Sequence, residues 1–189
     1  LYDIKQTPTY SMRALAFHEA IPGHHLQNAL NLENDNLSLY RRFGYYTSAF
    51  GEGWALYSER LSLEIGLADD LFDELGVLQS ELFRAVRLVV DTGMHFKRWT
   101  REEAMDYMKG KTGMSDTEVT VEIERYIVWP GQACSYKVGM LKILELREKA
   151  KQELGESFDI RDFHSAVLDH GEPPLFIVEE LVNEMINNR

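Results

Sequence analysis

Apolar side chains recur every three or four residues along almost the whole chain, and this spacing constrains the fold more than any other feature. The longest such stretch runs from Asp69 to Lys97, and the residues that carry its spacing are Leu71, Leu75, Leu78, Leu82, Ala85 and Val89. No segment alternates apolar and polar residues convincingly enough to predict an extended sheet. We therefore predict one mostly α-helical domain over residues 1–189.

Capping and helix-breaking residues divide this pattern into separate helices. Thr100 with Glu103, and Ser115 with Glu118, each fit a capping box, in which the hydroxyl caps the helix and the glutamate reaches back. Pro130 and Gly155 are expected to act as breaks. The predicted helices cover residues 10–30, 38–66, 69–97, 100–109, 115–129, 132–154, 158–169 and 174–186.

One short segment, AFHEAIPGHHLQ from Ala16 to Gln27, contains a His-Glu pair followed by two adjacent histidines. Catalytic zinc takes three ligands from His, Asp or Glu and keeps one position open for water. In HExxH peptidases, the two histidines lie four residues apart on one helix, and the glutamate activates the water. Here His24 follows His18 by six residues and His25 follows it by seven. A regular helix could not hold one ion between such a pair.

The residues between the histidines offer a way to close this gap. Pro22 lacks an N–H, and its ring clashes with the carbonyl of His18, so the helix should kink or bulge there. Gly23 tolerates the unusual backbone angles that a bulge needs. A two-residue bulge would bring His24 to the place of the usual second histidine. We therefore favour His24 over His25 as a ligand.

The third ligand is predicted in the GEGWA segment from Gly51 to Ala55, at Glu52. This segment resembles the gluzincins, whose third ligand is a glutamate on a downstream helix, within Asn-Glu-Gly-Phe-Ala in aminopeptidase-N-type enzymes. Glu59 is the alternative ligand, because it lies two turns further on the same helical face. We rank Glu52 first and expect Glu59 to orient a ligating histidine, as metal-binding histidines usually require.

Most of the chain also resembles a bacterial family of unknown function, DUF885, which is grouped with the gluzincin-like peptidases. The matching segments are 18–27, 51–59, 91–95, 125–126, 129–133 and 136–139. The resemblance implies a multi-helix, zincin-like metallopeptidase catalytic domain with one zinc ion and a peptide substrate. It also implies that residues 1–189 are the C-terminal part of a longer protein that carries an N-terminal region.

Roles for individual residues follow from the zinc hypothesis. Glu19 would be the general base that takes a proton from water and returns it to the leaving amine. Tyr136 is the proposed oxyanion donor, since related gluzincins use a tyrosine from a later helix, and His95 and His164 compete for that role. Arg125 could bind a substrate carboxylate, and we place His95 with it among the substrate-binding residues. The alternative for Arg125 is a structural ion pair.

Two other classes of protein use helical chains of this kind. A dinuclear carboxylate site would need Glu-x-x-His pairs on two helices, and the sequence contains none. A non-catalytic helical binding module that retains the metallopeptidase fold is the stronger alternative. It predicts that changing Glu19 has no effect on function.

Composition limits which classes of partner the chain is expected to bind, and says little about where in the cell it is located. The formal charge of −11 argues against a nucleic-acid partner, which would need clustered Lys and Arg. Cys134 stands alone, so no intrachain disulfide is expected. No apolar run approaches the length of a transmembrane helix. The chain begins at Leu1 without an initiator methionine, which suggests a fragment, and both a cytoplasmic and an exported location stay open.

Overall fold

The computed structural model describes residues 8–189, and within this range the backbone is mostly α-helical and contains no strand. The α-helices are α1 (Ser11–Glu19), α2 (His24–Glu33), α3 (Ser48–Glu64), α4 (Leu71–His95), α5 (Arg101–Thr112), α6 (Asp116–Val128), α7 (Gln132–Leu154), α8 (Ile160–Leu168) and α9 (Leu175–Asn187). Shorter elements are a π-helical turn, Tyr40–Gly44, and a 3₁₀ turn, Gly155–Ser157. The prediction of a mostly α-helical chain is confirmed.

Helices α3 and α7 form the centre of the molecule, and glycines let their backbones touch. A Cβ atom added at Gly53 would lie 2.5 Å from the Cα of Gly139, and one added at Gly139 would lie 1.9 Å from the carbonyl oxygen of Ala49. Side chains of α8 and α9, including Phe163 and Val178, close the core around this contact. The position of α3 is therefore set by tight packing along its length.

A second core lies between α4, α5 and α6. Val90, Met108 and Ile123 are fully buried there. Arg87 on α4 is also buried, and it donates to the Tyr126 hydroxyl at 2.8 Å and to a Glu122 carboxylate oxygen at 2.8 Å. This polar network ties α4 to α6, although Nη1 of Arg87 makes no hydrogen bond to the described residues.

Local sequence signals account well for several helix ends. Both predicted capping boxes are present, at Thr100 with Glu103 and at Ser115 with Glu118. Helix α7 begins and ends at the predicted residues. These signals act within one turn of the chain and so do not depend on distant packing.

Two predicted helices are interrupted. The stretch 10–30 is split into α1 and α2 by four non-helical residues, where a bulge was expected. The stretch 38–66 is broken after the π-helical turn, because Tyr45 and Thr47 adopt extended backbone angles before α3 begins. Aromatic and β-branched residues favour that conformation, and Gly44 precedes them. The prediction of one continuous helix over 38–66 was wrong, and in 10–30 a full break stands where a kink or bulge was predicted at Pro22.

The leucine spacing on α4 predicts the helix correctly, but the first part of that stripe faces outward. The exposed fractions are 82% for Leu71, 48% for Leu75, 53% for Leu78 and 45% for Leu82. The opposite face of α4 is buried instead. It contains Val77 and two glycines, Gly76 and Gly93, which let neighbouring residues approach the helix closely. No helix within residues 8–189 is long and apolar enough to cross a membrane.

Candidate metal centre

The break between α1 and α2 places two histidines next to each other. His18 is the penultimate residue of α1, and His24 is the first residue of α2. A Cβ atom at Gly23 would lie 1.9 Å from the carbonyl oxygen of His18, so the turn is too tight for any other residue. Helix α3 holds this turn, because the Trp54 indole nitrogen donates to the Pro22 carbonyl at 2.9 Å.

Three side chains from this break and from α3 converge on one point. The Nε2 atom of His18 lies 3.5 Å from Oε2 of Glu52, and Nε2 of His24 lies 3.3 Å from the same oxygen. One ligand atom from each residue lies within 4.8 Å of the others. Bonds of 2.0–2.1 Å in a tetrahedral zinc site would place ligand atoms roughly 3.4 Å apart. The spacing in this group therefore fits zinc.

The electrostatics of Glu52 point the same way. Its Oε2 atom is buried and makes no hydrogen bond to the described residues, although two imidazoles lie beside it. Burial acts to raise the pKa of this carboxyl, but His18 and His24 outweigh burial and bring the pKa down to about 2. A buried carboxylate oxygen that accepts no hydrogen bond is costly. Two imidazole nitrogens and one carboxylate are a donor set that a divalent cation would satisfy.

Glu59 lies on the far side of His18 from Glu52. Its Oε1 atom is 2.7 Å from Nδ1 of His18, and both side chains are buried. This contact directs Nε2 of His18 toward Glu52. Burial acts to lower the pKa of His18, but the two glutamates outweigh it and the net shift is upward. The geometry thus favours Glu52 as the ligand and Glu59 as the residue that orients His18.

Tyr136 on α7 packs beside the same group. Its ring stacks on that of His18, with centroids 6.1 Å apart and 22° between the planes. Its hydroxyl accepts a hydrogen bond from the Gln132 amide nitrogen at 3.4 Å. Arg125 donates to the Gln132 amide oxygen at 3.2 Å. The structure therefore brings Tyr136 to the site directly and connects Arg125 to it through Gln132.

Glu19 and His25 flank the ligand group in different ways. Glu19 ends α1 directly after His18, and its side chain is exposed. His25 is exposed on α2 and does not belong to the group of converging ligand atoms. The preference for His24 over His25 agrees with this placement, although a break rather than a bulge produces it.

The remaining predicted histidines lie elsewhere in the molecule. His95, at the end of α4, is exposed, and its Nε2 atom lies 2.9 Å from the Tyr126 carbonyl oxygen. His164 packs against Trp54 and hydrogen-bonds the Tyr57 hydroxyl at 2.8 Å. Burial lowers the pKa of His164 to about 4. The structure brings neither of them into the ligand group.

Sequence reasoning missed a polar cluster next to Glu52. Glu172, in the loop before α9, is only 7% exposed, and its Oε2 atom has no hydrogen-bond partner within residues 8–189. A Cβ atom at Gly51 would lie 3.3 Å from the Tyr46 ring and 3.7 Å from both the Gln27 amide nitrogen and Oε2 of Glu172. Burial raises the pKa of Glu172. The only sequence signal was the small residue that precedes Glu52.

Comparisons with known proteins match the chain to one bacterial family and to two solved structures. The profile of a bacterial protein family of unknown function, DUF885, matches residues 1–182. A structure described as "the putative lipoprotein from Colwellia psychrerythraea" is 53% identical to this chain and superposes with a TM-score of 0.96. The match covers 100% of this chain and 32% of the Colwellia chain. A "putative lipoprotein of unknown function from Shewanella oneidensis" is 27% identical, with a TM-score of 0.87. This match covers 97% of this chain and 34% of the Shewanella chain. None of the curated proteins compared with the chain matches it. The chain spans about a third of the length of both solved relatives.

Proposed function

The chain belongs to the bacterial DUF885 family, and from that premise we propose that it is a zinc-dependent peptidase with a zincin-like catalytic centre. The observation that carries the proposal is the convergence of two imidazole nitrogens on a buried oxygen of Glu52 that makes no hydrogen bond to the described residues. His18, His24 and Glu52 would hold one zinc ion, and Glu59 would keep the His18 ring in position. When bound, zinc supplies a Lewis acid and lowers the pKa of a coordinated water toward about 7.

Glu19 is the proposed general base. It directly follows the proposed ligand His18, and its side chain is exposed, so a water bound at the centre would be its proposed proton donor. It would accept the proton of the attacking water and pass it to the leaving amine as the peptide bond breaks. Because Glu19 is not one of the converging ligands, its removal should stop turnover without releasing metal.

Tyr136 is the proposed donor to the substrate's carbonyl oxygen as negative charge develops there. Gln132 donates to the tyrosine hydroxyl, so the hydroxyl's own proton is available for a substrate oxygen. Arg125 is partly exposed and would take a substrate carboxylate at the same edge of the site. We give His95 no role in this proposal, because its ring is engaged with a backbone carbonyl of α6.

The test of this proposal is the Glu19→Gln variant, assayed with a peptide library. We expect turnover to fall by about 10²- to 10⁴-fold, the usual contribution of a general base, while elemental analysis finds the same zinc content. Glu33→Gln is the matched control, since Glu33 is an exposed glutamate at the end of α2. Unchanged hydrolysis by Glu19→Gln would rule out the proposed mechanism.

One observation favours a second candidate, a non-catalytic helical binding module that retains this fold. Thermolysin-like and aminopeptidase-like domains usually align the substrate along an edge strand, and residues 8–189 contain no strand. This candidate predicts that zinc binds and that peptides bind, but that no bond is cut by the wild-type chain. The same peptide library therefore separates the two functions.

We also propose that the exposed leucine face of α4, formed by Leu71, Leu75, Leu78 and Leu82, packs against another region of a longer polypeptide. The solved relatives are about three times as long as this chain, and an apolar face of this kind is typical of a buried contact. Hydrogen exchange over residues 71–82 should be slower in the longest natural polypeptide that contains this sequence than in the 189-residue chain. Equal exchange rates would contradict this contact.

For location, the descriptions of both relatives as putative lipoproteins support export over the cytoplasm. We propose that the natural protein is exported. Fractionation of the producing cells should recover it with the envelope, and recovery with the cytoplasmic fraction would contradict this.

A further inference from the structure

A largely buried arginine lies near the candidate metal centre, and the proposed reaction gives it no role. Arg84 is on α4, and its Nη2 atom lies 3.9 Å from Oε1 of Glu59 on α3. The same Glu59 oxygen lies 2.7 Å from Nδ1 of His18. One carboxylate oxygen therefore faces both the arginine and a proposed zinc ligand.

The surroundings of Glu59 call for a positive charge. Its side chain is only 1% exposed, and its second oxygen, Oε2, makes no hydrogen bond to the described residues. A carboxylate buried in this way costs free energy unless a charge of opposite sign lies near it. Arg84 is the only arginine or lysine among residues 8–189 that forms an ion pair with Glu59. Arg84 therefore supplies the countercharge of this carboxylate.

Arg84 is itself held by several contacts. Its Nη1 atom donates to the hydroxyl and to the carbonyl oxygen of Ser80, one turn earlier on α4. The centre of its guanidinium lies 5.4 Å from the centroid of the Phe83 ring and 5.5 Å from that of the Tyr136 ring, distances at which an aromatic ring attracts a cation. Burial lowers the pKa of Arg84, and Glu59 is the strongest influence that opposes burial. The guanidinium thus has a fixed position beside Glu59.

We propose that Arg84 is a positioning residue for the metal centre, because it fixes the carboxylate of Glu59 and, through it, the ring of His18. Groups that hold a metal-binding histidine commonly change metal affinity without touching the ion. Arg84 belongs one step further out, since it contacts Glu59 and is not one of the converging ligand residues. This inference rests on the proposed metal centre and adds a residue on which zinc affinity depends.

Two other roles for Arg84 would give different results. If its charge acted directly on the ion, it would repel zinc, and removing the charge would tighten zinc binding. If Arg84 only tied α4 to α3, its removal would destabilise the fold, and any effect on zinc affinity would be the same with or without Glu59. A positioning role predicts weaker zinc binding that does depend on Glu59.

The experiment measures zinc affinity rather than turnover, by competition with a fluorescent zinc chelator. The 189-residue chain carries Arg84→Met, Glu59→Gln or both, since methionine fills space without a charge. We expect Arg84→Met to bind zinc about tenfold more weakly than the wild type, at the lower end of the range for groups that support a metal ligand. The double variant should bind zinc within about threefold of Glu59→Gln alone, because the arginine then has no carboxylate to hold.

Arg87→Met is the matched control. Arg87 is a buried arginine on the same helix, and its guanidinium also lies near the Tyr136 ring, 4.8 Å from the centroid. Its carboxylate partner is Glu122 rather than Glu59. Zinc affinity should therefore stay within about twofold of wild type. The urea midpoint of each variant is measured, so that loss of the fold is seen separately. If Arg84→Met does not fold, Arg84→Gln repeats the test with a donor for Ser80 but no charge.

The outcomes separate the inference from the proposed function. Zinc affinity that is unchanged or tighter in Arg84→Met would overturn the positioning role and leave the metal centre intact. An equal loss with and without the Glu59 carboxylate would also overturn it, since the effect would not pass through that residue. Absence of zinc from the wild-type chain would instead count against the peptidase itself, and against this inference with it.

Discussion

The two halves of the candidate metal centre, Glu52 on one side and His18 with His24 on the other, are held in place very differently. Glu52 lies on α3, where Phe50, Trp54 and Tyr57 are fully buried and the backbone touches that of α7. The histidine half lies on α1 and α2, which are short helices with few buried residues and several exposed apolar ones. The glutamate half is therefore placed by the core, whereas the histidine half is placed by a turn and by a few polar contacts.

This difference indicates what a metal would add to the molecule. Within residues 8–189, a few polar contacts join the halves. Glu59 bonds His18, and Trp54 and Ser58 donate to the carbonyl oxygen of Pro22. His18 and His24 also lie 3.5 and 3.3 Å from Oε2 of Glu52. Zinc would add a further link, because it would bind Glu52 and both histidines at once. Damage to the core should thus destroy both halves, whereas damage to the links should weaken metal binding and leave the core folded.

The largest effect is expected from Gly139→Ala, which disturbs the contact of α7 with α3, the helix that carries Glu52. The new methyl group would lie 1.9 Å from the Ala49 carbonyl oxygen and would force α7 away from α3. We expect the free energy of unfolding to fall by at least about 3 kcal/mol, at the upper end for overpacked cores. Urea unfolding followed by circular dichroism measures this change.

A matched control is Gly110→Ala on α5, where no atom lies within 4 Å of the added methyl group. This change should raise the free energy of unfolding by up to about 1 kcal/mol, since alanine favours helix over glycine. Equal stability of the two variants would mean that the α3–α7 contact is looser than described.

The next largest effect is a loss of stability at low pH, and it concerns the core behind the glutamate half. His164 lies against Trp54 and Tyr57 behind α3, and burial, with Arg147, lowers its pKa from 6.5 to about 4 while Glu64 opposes them. Between these values the unfolded chain binds the proton and the native chain does not, so stability is complete above pH 6.5 and is lost as the pH falls toward 4. The free energy of unfolding should fall by up to about 3 kcal/mol over this range. Urea titrations at several pH values measure it.

The control for this prediction is His164→Phe, which keeps an aromatic ring in the core and cannot titrate. Its free energy of unfolding should depend less steeply on pH between 6.5 and 4 than that of the wild type. The same slope in both proteins would mean that other groups account for acid lability.

A smaller effect is expected from Glu59→Gln, which weakens a link between the halves. The amide can no longer hold the His18 ring with a full negative charge, and such changes typically cost about 10- to 100-fold in zinc affinity. Competition with a fluorescent zinc chelator measures this affinity. The core should stay folded, with an unchanged near-ultraviolet circular dichroism spectrum.

Glu64→Gln is the comparison for this variant. Glu64 also lies on α3, but it pairs with Arg147 and contacts neither ligand histidine. Zinc affinity should be within about twofold of wild type, because no contact to the centre changes. If both variants lost affinity equally, the contact between Glu59 and His18 would have no special role.

Much of the site could be predicted from the sequence because its signals are local. Pro22 must disturb a helix that passes through His18, and that disturbance is what brings His24 to it. Glu52 and Glu59 are two turns apart on one helix, so a ligand and an orienting residue could both be expected on one face. The capping boxes at Thr100 and Ser115 are equally local and were equally predictable.

The parts that were missed depend on contacts between distant segments. Glu172 reaches Gly51 from a loop near the other end of the chain, and no spacing rule links them. The outward face of Leu75 and Leu78 could not be inferred either, because periodicity predicts a helix without saying which face has a partner. The break at Tyr45 is set by extended residues that precede a buried helix.

The central claim is that His24, delivered by the break after α1, binds zinc together with His18 and Glu52. The most direct test is the zinc content of the wild type, His24→Ala and His25→Ala, by elemental analysis after zinc is supplied and excess is removed. We predict about one zinc per chain in the wild type and in His25→Ala, as for a site with three protein ligands, and little or none in His24→Ala. Full zinc in His24→Ala, or none in the wild type, would contradict the account.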